Sequence, residues 1–211
     1  MFARVFLFPF LLLPLGACAT VTAVPKVEES EFAKLRNENN GIVLLYTSLN
    51  DSTPTQVSVT LARPDEQGRY VVWRQGVPIK FSRDASILPG QLKIPAGDYG
   101  IVELYAMDKR GGVYVNRQYQ ARDMKLQGIL LEKVYERPLA KFKVEAGEVV
   151  DIGSLQVIEG PRQRTLFGTD GSFAIKVGKT PDPVLKNLAE RNPQLASARV
   201  VRTMTAPSQN P

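Results

Sequence analysis

The chain has 211 residues, with 27 Lys and Arg against 21 Asp and Glu, one Cys and no His. That length suits one domain of ordinary size with tails, and 44% hydrophobic with 23% charged residues is a globular composition. The lack of His excludes Ser-His-Asp, Cys-His and His-ligated metal chemistry. A single Cys excludes an intramolecular disulfide, a CxxC redox pair and a thiolate zinc site.

Residues 1–17 read as a targeting segment. Arg4 supplies a positive start, and Val5 to Leu15 an apolar run interrupted by Pro9 and Pro14. The run is shorter than the roughly 20 apolar residues a bilayer span needs, so a secretory signal fits better than a transmembrane helix. No later segment approaches that length, and no membrane span is expected. Leu15-Gly16-Ala17-Cys18 resembles the bacterial lipobox, a Leu and two small residues before a Cys. The resemblance implies cleavage before Cys18, a diacylglyceryl group on its sulfur and acylation, for instance by palmitate, of its new amine. Such an anchor is effectively permanent, since each buried CH₂ contributes about 0.8 kcal/mol. Inner-membrane retention calls for Asp after the Cys; Ala19 stands there instead. The expected location is therefore the outer membrane, with the domain facing the periplasm and the lipid as its membrane partner.

Cleavage removes Arg4 and takes the formal charge from +6 to +5. A modestly basic surface suits anionic headgroups or acidic polysaccharide. No nucleic-acid partner is expected, because no basic helix or aromatic-interleaved basic strand is present. Residues 18–40 read as the lipidated Cys and a flexible tether, polar and ending in Asn37-Glu38-Asn39-Asn40-Gly41; Phe32, Ala33 and Leu35 offer one helical turn without a capping box.

Residues 41–178 read as β structure. Ile42 to Tyr46 is a short apolar run. In Gln56 to Leu61, Val57, Val59 and Leu61 alternate with polar residues. Pro64 to Gly68 is turn chemistry, and Tyr70 to Trp73 resumes an extended run. Ala140, Phe142 and Val144 alternate with Lys141, Lys143 and Glu145, as Phe173, Ile175 and Val177 do with Ser172, Ala174 and Lys176. Asp108 to Gly112 and Thr169 to Ser172 have hairpin-loop composition. Many short half-buried strands with frequent turns predict a mainly β, antiparallel sandwich.

One segment echoes another. Lys93-Ile94-Pro95-Ala96-Gly97-Asp98-Tyr99 and Lys143-Val144-Glu145-Ala146-Gly147-Glu148-Val149 share Lys, apolar, any residue, Ala, Gly, acid, apolar. This reads as strand, tight turn, strand, with Gly97 and Gly147 at positive φ in two similar hairpins. The first copy, with the apolar strand Tyr99 to Ala106 after it, resembles a motif of prealbumin-like and carboxypeptidase-regulatory-like β-sandwiches. Phe142 to Gly153 resembles a segment of uncharacterised bacterial outer-membrane lipoproteins with that fold, with Asp151 where Tyr is frequent. The resemblance covers roughly residues 41–177 and implies an Ig-like or prealbumin-like sandwich without catalytic function.

Residues 179–202 read as a short C-terminal helical segment packing on the sandwich edge. Asp182 is its N-cap, Pro183 its first residue, and Val184, Leu185 and Leu188 its apolar face; Leu195 and Ala198 continue past Pro193. Residues 203–211 read as a disordered tail. For chemistry, the carboxylates Asp98, Glu103, Glu132, Glu148 and Asp151 are the candidates for a glycosidase pair. Asp98 and Glu148 are explained as turn residues, and Glu103 and Asp151 as solvent-side positions of alternating strands. No Ser-x-x-Lys, P-loop, GxGxxG or EF-hand pattern occurs. Basic clusters, Arg74-Lys80-Arg83 and Arg162-Arg164, together with Trp73, Tyr114 and Tyr119, form a candidate face for a glycan or an envelope protein, although a lone Trp in a sandwich is more often core. The sequence thus points to a lipid-anchored, non-catalytic binding or assembly accessory, with no catalytic residue, metal or cofactor beyond the lipid on Cys18. Its alternatives are an envelope polysaccharide- or peptidoglycan-binding module and, less favoured, a carboxylate-pair glycoside hydrolase.

Overall fold

The computed structural model describes residues 29–49, 56–79, 88–108, 111–116, 119–123, 131–165 and 168–206. In chain order the elements are α1 (Glu29–Asn37), β1 (Asn40–Leu49), β2 (Gln56–Pro64), β3 (Tyr70–Ile79), β4 (Gly90–Pro95) and β5 (Gly97–Asp108). Then follow β6 (Gly111–Asn116), β7 (Tyr119–Asp123), β8 (Leu131–Tyr135), β9 (Ala140–Val144), β10 (Val149–Thr165) and β11 (Gly168–Gly178). The chain closes with α2 (Asp182–Arg191), α3 (Pro193–Ser197) and β12 (Arg199–Val201).

The fold is mainly β, in two sheets. One has the order β11-β10-β1-β4, with β12 also on β10; the other runs β6-β5-β2-β3-β8-β7, with β9 also on β5. Their facing sides share one apolar core. Val43, Leu45, Leu92, Ile94, Val150, Ile152, Leu155 and Val157 come from the first sheet, and Val57, Val59, Leu61, Tyr99, Ile101, Leu104, Phe142 and Val144 from the second. The alternations in β2 and β9 set this up: with side chains on opposite faces at successive positions, one register buries a whole apolar set.

Most strand pairs are antiparallel, as the sequence predicts, but β1 pairs β10 in parallel, and so does β12. Parallel neighbours need a long crossover; here all of the second sheet is threaded between β1 and β10. β1 is almost wholly buried because both its faces are covered. Its outer side, with Val149, meets Leu35 of α1, Leu188 of α2 and Leu195 of α3 in a second apolar cluster. The helices therefore lie on the face of the first sheet, not on a sandwich edge.

This corrects the tether reading for residues 29–40: burial of Leu35 and partial burial of Phe32 bind a nine-residue helix that is short of intrinsic stability. Residues 18–28 lie outside the described residues. At the other end, Pro181, not Asp182, caps α2, its carbonyl accepting from the Val184 and Leu185 amides. The Asn192 side chain caps α3 through the Leu195 amide. Within the expected tail, Met204 is buried and Thr205 exchanges both backbone hydrogen bonds with Lys141, so 203–206 are ordered; 207–211 lie outside the described residues. Thr169 to Ser172 lies within β11, paired to β10, with the connection falling instead between Thr165 and Gly168.

The two echoed segments are not hairpins. The first carries the chain from β4 in the first sheet to β5 in the second, and the other carries it back from β9 to β10. Both arches close on the start of β1. The Ala96 amide donates to the Asn39 carbonyl at 2.8 Å, the Gly147 amide to Asn40 at 2.7 Å, and the Ile42 amide to Glu148 at 2.8 Å. Gly41 sits between them, where a Cβ would lie 2.4 Å from Val144 Cγ1 and 2.8 Å from the Glu145 carbonyl oxygen. Gly97 and Gly147 do adopt positive φ, 150° and 77°.

Gly41→Ala is expected to destabilise by about 1–3 kcal/mol, the cost of overpacking a tight site. Gly68→Ala is the control: φ is +75° but the space is open, leaving only about 1 kcal/mol of backbone strain. Urea unfolding of the two variants should rank them in that order.

Candidate functional site

Cys18, Leu15, Gly16 and Ala17 lie outside the described residues, as do Lys80 and Arg83. Arg162 and Arg164 are on β10, in the stretch paired only with β11 among the described residues, and Tyr114 is on β6 and Tyr119 on β7. The side chains of these four are not described. Arg162 and Arg164 belong to the first sheet, whereas Tyr114 and Trp73 belong to the second, so the expected face is not one strand neighbourhood. Arg74 is exposed on β3.

The five candidate carboxylates are distributed over the fold. Asp98 is exposed, beside its turn glycine. Glu132 is half-buried on β8. Glu148 takes a two-nitrogen fork from Arg202, at 2.8 and 3.0 Å. Glu103 and Asp151 contradict their expected solvent-side placement: each is only 2% exposed.

Glu103 is buried because the chain covers part of the outer face of the second sheet. The short link from β8 at one side to β9 at the other crosses there, tied by the Leu139 amide to the Ile101 carbonyl. Beneath it Ala62, Tyr70, Val102 and Tyr135 form a small apolar cluster. Into this cover Glu103 brings a charge. Its Oε2 accepts from the Thr60 hydroxyl at 2.7 Å; its Oε1 accepts from Lys133 Nζ at 2.9 Å and from the Tyr135 hydroxyl. A buried carboxylate is tolerable when paired and hydrogen-bonded in this way.

Asp151 joins three chain segments. Its Oδ1 accepts from the Gly153 amide at 2.9 Å and the Thr180 hydroxyl at 2.6 Å, and its Oδ2 from Arg199 at 3.0 Å. Its own carbonyl takes the Arg202 amide. The side chain thus fastens β12 and the chain beyond β11 onto β10. Glu103 and Asp151 share no partner in these contacts, and among the described residues no group of three or more His, Cys, Asp or Glu could hold a metal.

Trp73 is half-buried against the main core, its ring 5.4 Å from that of Tyr99 in an edge-on arrangement. Tyr99 in turn stacks on Phe142 at 5.6 Å. Arg63 completes the group, its guanidinium carbon 4.8 Å from the Trp73 centroid and 4.9 Å from that of Tyr99. Arg63 is absent from the face expected from sequence. The signal was there: the period-two pattern Val57, Val59, Leu61 carried one step further puts residue 63 on the inner face, where a charge is unexpected.

Among the described residues no helix is long and apolar enough to cross a membrane. Comparison with protein-family models, curated proteins and solved structures gives no match.

Glu103→Leu should destabilise by about 3 kcal/mol, at the lower end for a broken buried pair, because Lys133 is a third exposed and can rehydrate. Glu103→Gln should cost less, since it still accepts from Thr60 and Tyr135. Chemical denaturation of both variants checks the order.

Proposed function

We propose that this chain is a bacterial outer-membrane lipoprotein whose β domain, anchored through Cys18 and facing the periplasm, is a non-catalytic binding or assembly accessory. The observation that carries the reading is the position of the lone Cys directly after Leu15-Gly16-Ala17 and an apolar leader. Within the same reading the domain is a prealbumin-like or carboxypeptidase-regulatory-like sandwich; its support is the pair of echoed arches that exchange the chain between two stacked sheets.

Further support comes from the two least expected carboxylates. Glu103 and Asp151 direct their oxygens at Thr60, Lys133 and Tyr135, and at Gly153, Thr180 and Arg199, contacts that hold strands together. The eleven residue steps from Cys18 to Glu29 reach at most about 40 Å when extended, so the anchor holds the domain within that distance of the membrane.

Growth with labelled palmitate should mark the wild-type protein in the outer-membrane fraction. Cys18→Ser should abolish the label and leave an uncleaved precursor. Label persisting on the variant would overturn the lipoprotein reading.

A further inference from the structure

We propose that Arg63, beside Trp73, forms a binding site for the carboxylate of an acidic glycan. The inference deepens the reading of the domain as a binding accessory and rests on it.

The basis is an unbalanced charge. Arg63 is half-buried near the end of β2. Of its five N–H donors, one is used among the described residues, Nη2 donating to the Tyr99 hydroxyl, which donates onward to the Pro95 carbonyl at 2.7 Å. Its Nε is buried with no acceptor. No carboxylate among the described residues pairs with it. The other half-buried cations among the described residues are served differently: Lys133 meets Glu103, Arg69 meets Asp65, Arg199 meets Asp151 and Arg202 meets Glu148. A cation removed from water without a counter-ion is unfavourable, and the π faces of Trp73 and Tyr99 offset that only in part.

The geometry selects the ligand. The guanidinium carbon lies 4.8 and 4.9 Å from the two ring centroids, and the end-on pair Nη1 and Nη2 matches a planar carboxylate bound through two parallel hydrogen bonds. One uncompensated positive charge matches one carboxylate, where a phosphate dianion would call for a further cation. The adjoining half-buried indole gives an amphipathic wall against which a sugar ring can lie. A glycan carrying uronic acids combines both features.

Trp73 is the single Trp of the chain, so intrinsic fluorescence reports this site directly. The lipid-free chain starting at Ala19 is titrated with oligogalacturonate, with a neutral oligosaccharide of the same length, and with inorganic phosphate. We expect a saturable, salt-weakened change in emission with oligogalacturonate only. Arg63→Gln should abolish it. Arg63→Lys, which keeps the charge and loses the fork, should weaken it about tenfold and carries the test if the Gln variant fails to fold by circular dichroism. No response to oligogalacturonate, an equal response to phosphate or the neutral sugar, or unchanged affinity in the folded variants would overturn the proposal. Because this chain carries no lipid, the outcome is independent of the palmitate result at Cys18.

Discussion

Entry of the chain into β1 is the point on which both sheets depend. Asn39, Asn40 and Ile42 each spend a backbone group on one of the two arches, and those arches are the links that carry the chain from the first sheet to the second and back. A shift of one residue here would move the apolar set of β1 off the shared core, because strand faces alternate with period two. Gly41 permits the closeness: the Val144 methyl and the Glu145 and Glu148 carbonyls occupy the space any side chain would need. The corner is reinforced from outside. Arg202 clamps Glu148, and Lys93 hydrogen-bonds Glu38 at 2.7 Å, which holds that exposed carboxyl below its ordinary pKa.

From this corner the layers follow. With β1 central and β10 beside it in parallel, the first sheet has one face for the second sheet and one for the helices. Helices α1, α2 and α3 come from opposite ends of the domain and meet over the same strands. Burial on both sides explains why β1 reads as a continuous apolar run, whereas β9, with one face to solvent, alternates cleanly.

Glu103, Asp151 and Arg63 have their charges met in two different ways. Glu103 and Asp151 are buried where strands that are distant in sequence must be fastened, one beneath the crossing from β8 to β9 and the other where β12 and the end of β11 meet β10. Each is met by donors from separate elements, the condition under which a buried charge rigidifies a fold. Arg63 differs: it lies against two rings, donates to a neutral hydroxyl and meets no carboxylate among the described residues.

By itself the sequence determined what is periodic or local. The alternation in β2 and β9, the turn chemistry of Pro64 to Gly68, where Asp65 accepts from the Gln67 and Arg69 amides, the apolar face of α2 and the positive φ of Gly97 and Gly147 all follow from residue type at short range. Only the tertiary structure decided which sheet each strand joins, that the echoed turns are arches and not hairpins, and that β1 and β10 run in parallel. These depend on contacts between residues far apart in the chain, which no local pattern encodes. The same holds for the interior charges. A carboxylate in an alternating strand reads as solvent-facing until another segment covers it, and Glu103 and Asp151 are buried by chain that arrives some 30 residues later, at Lys133 and at Thr180.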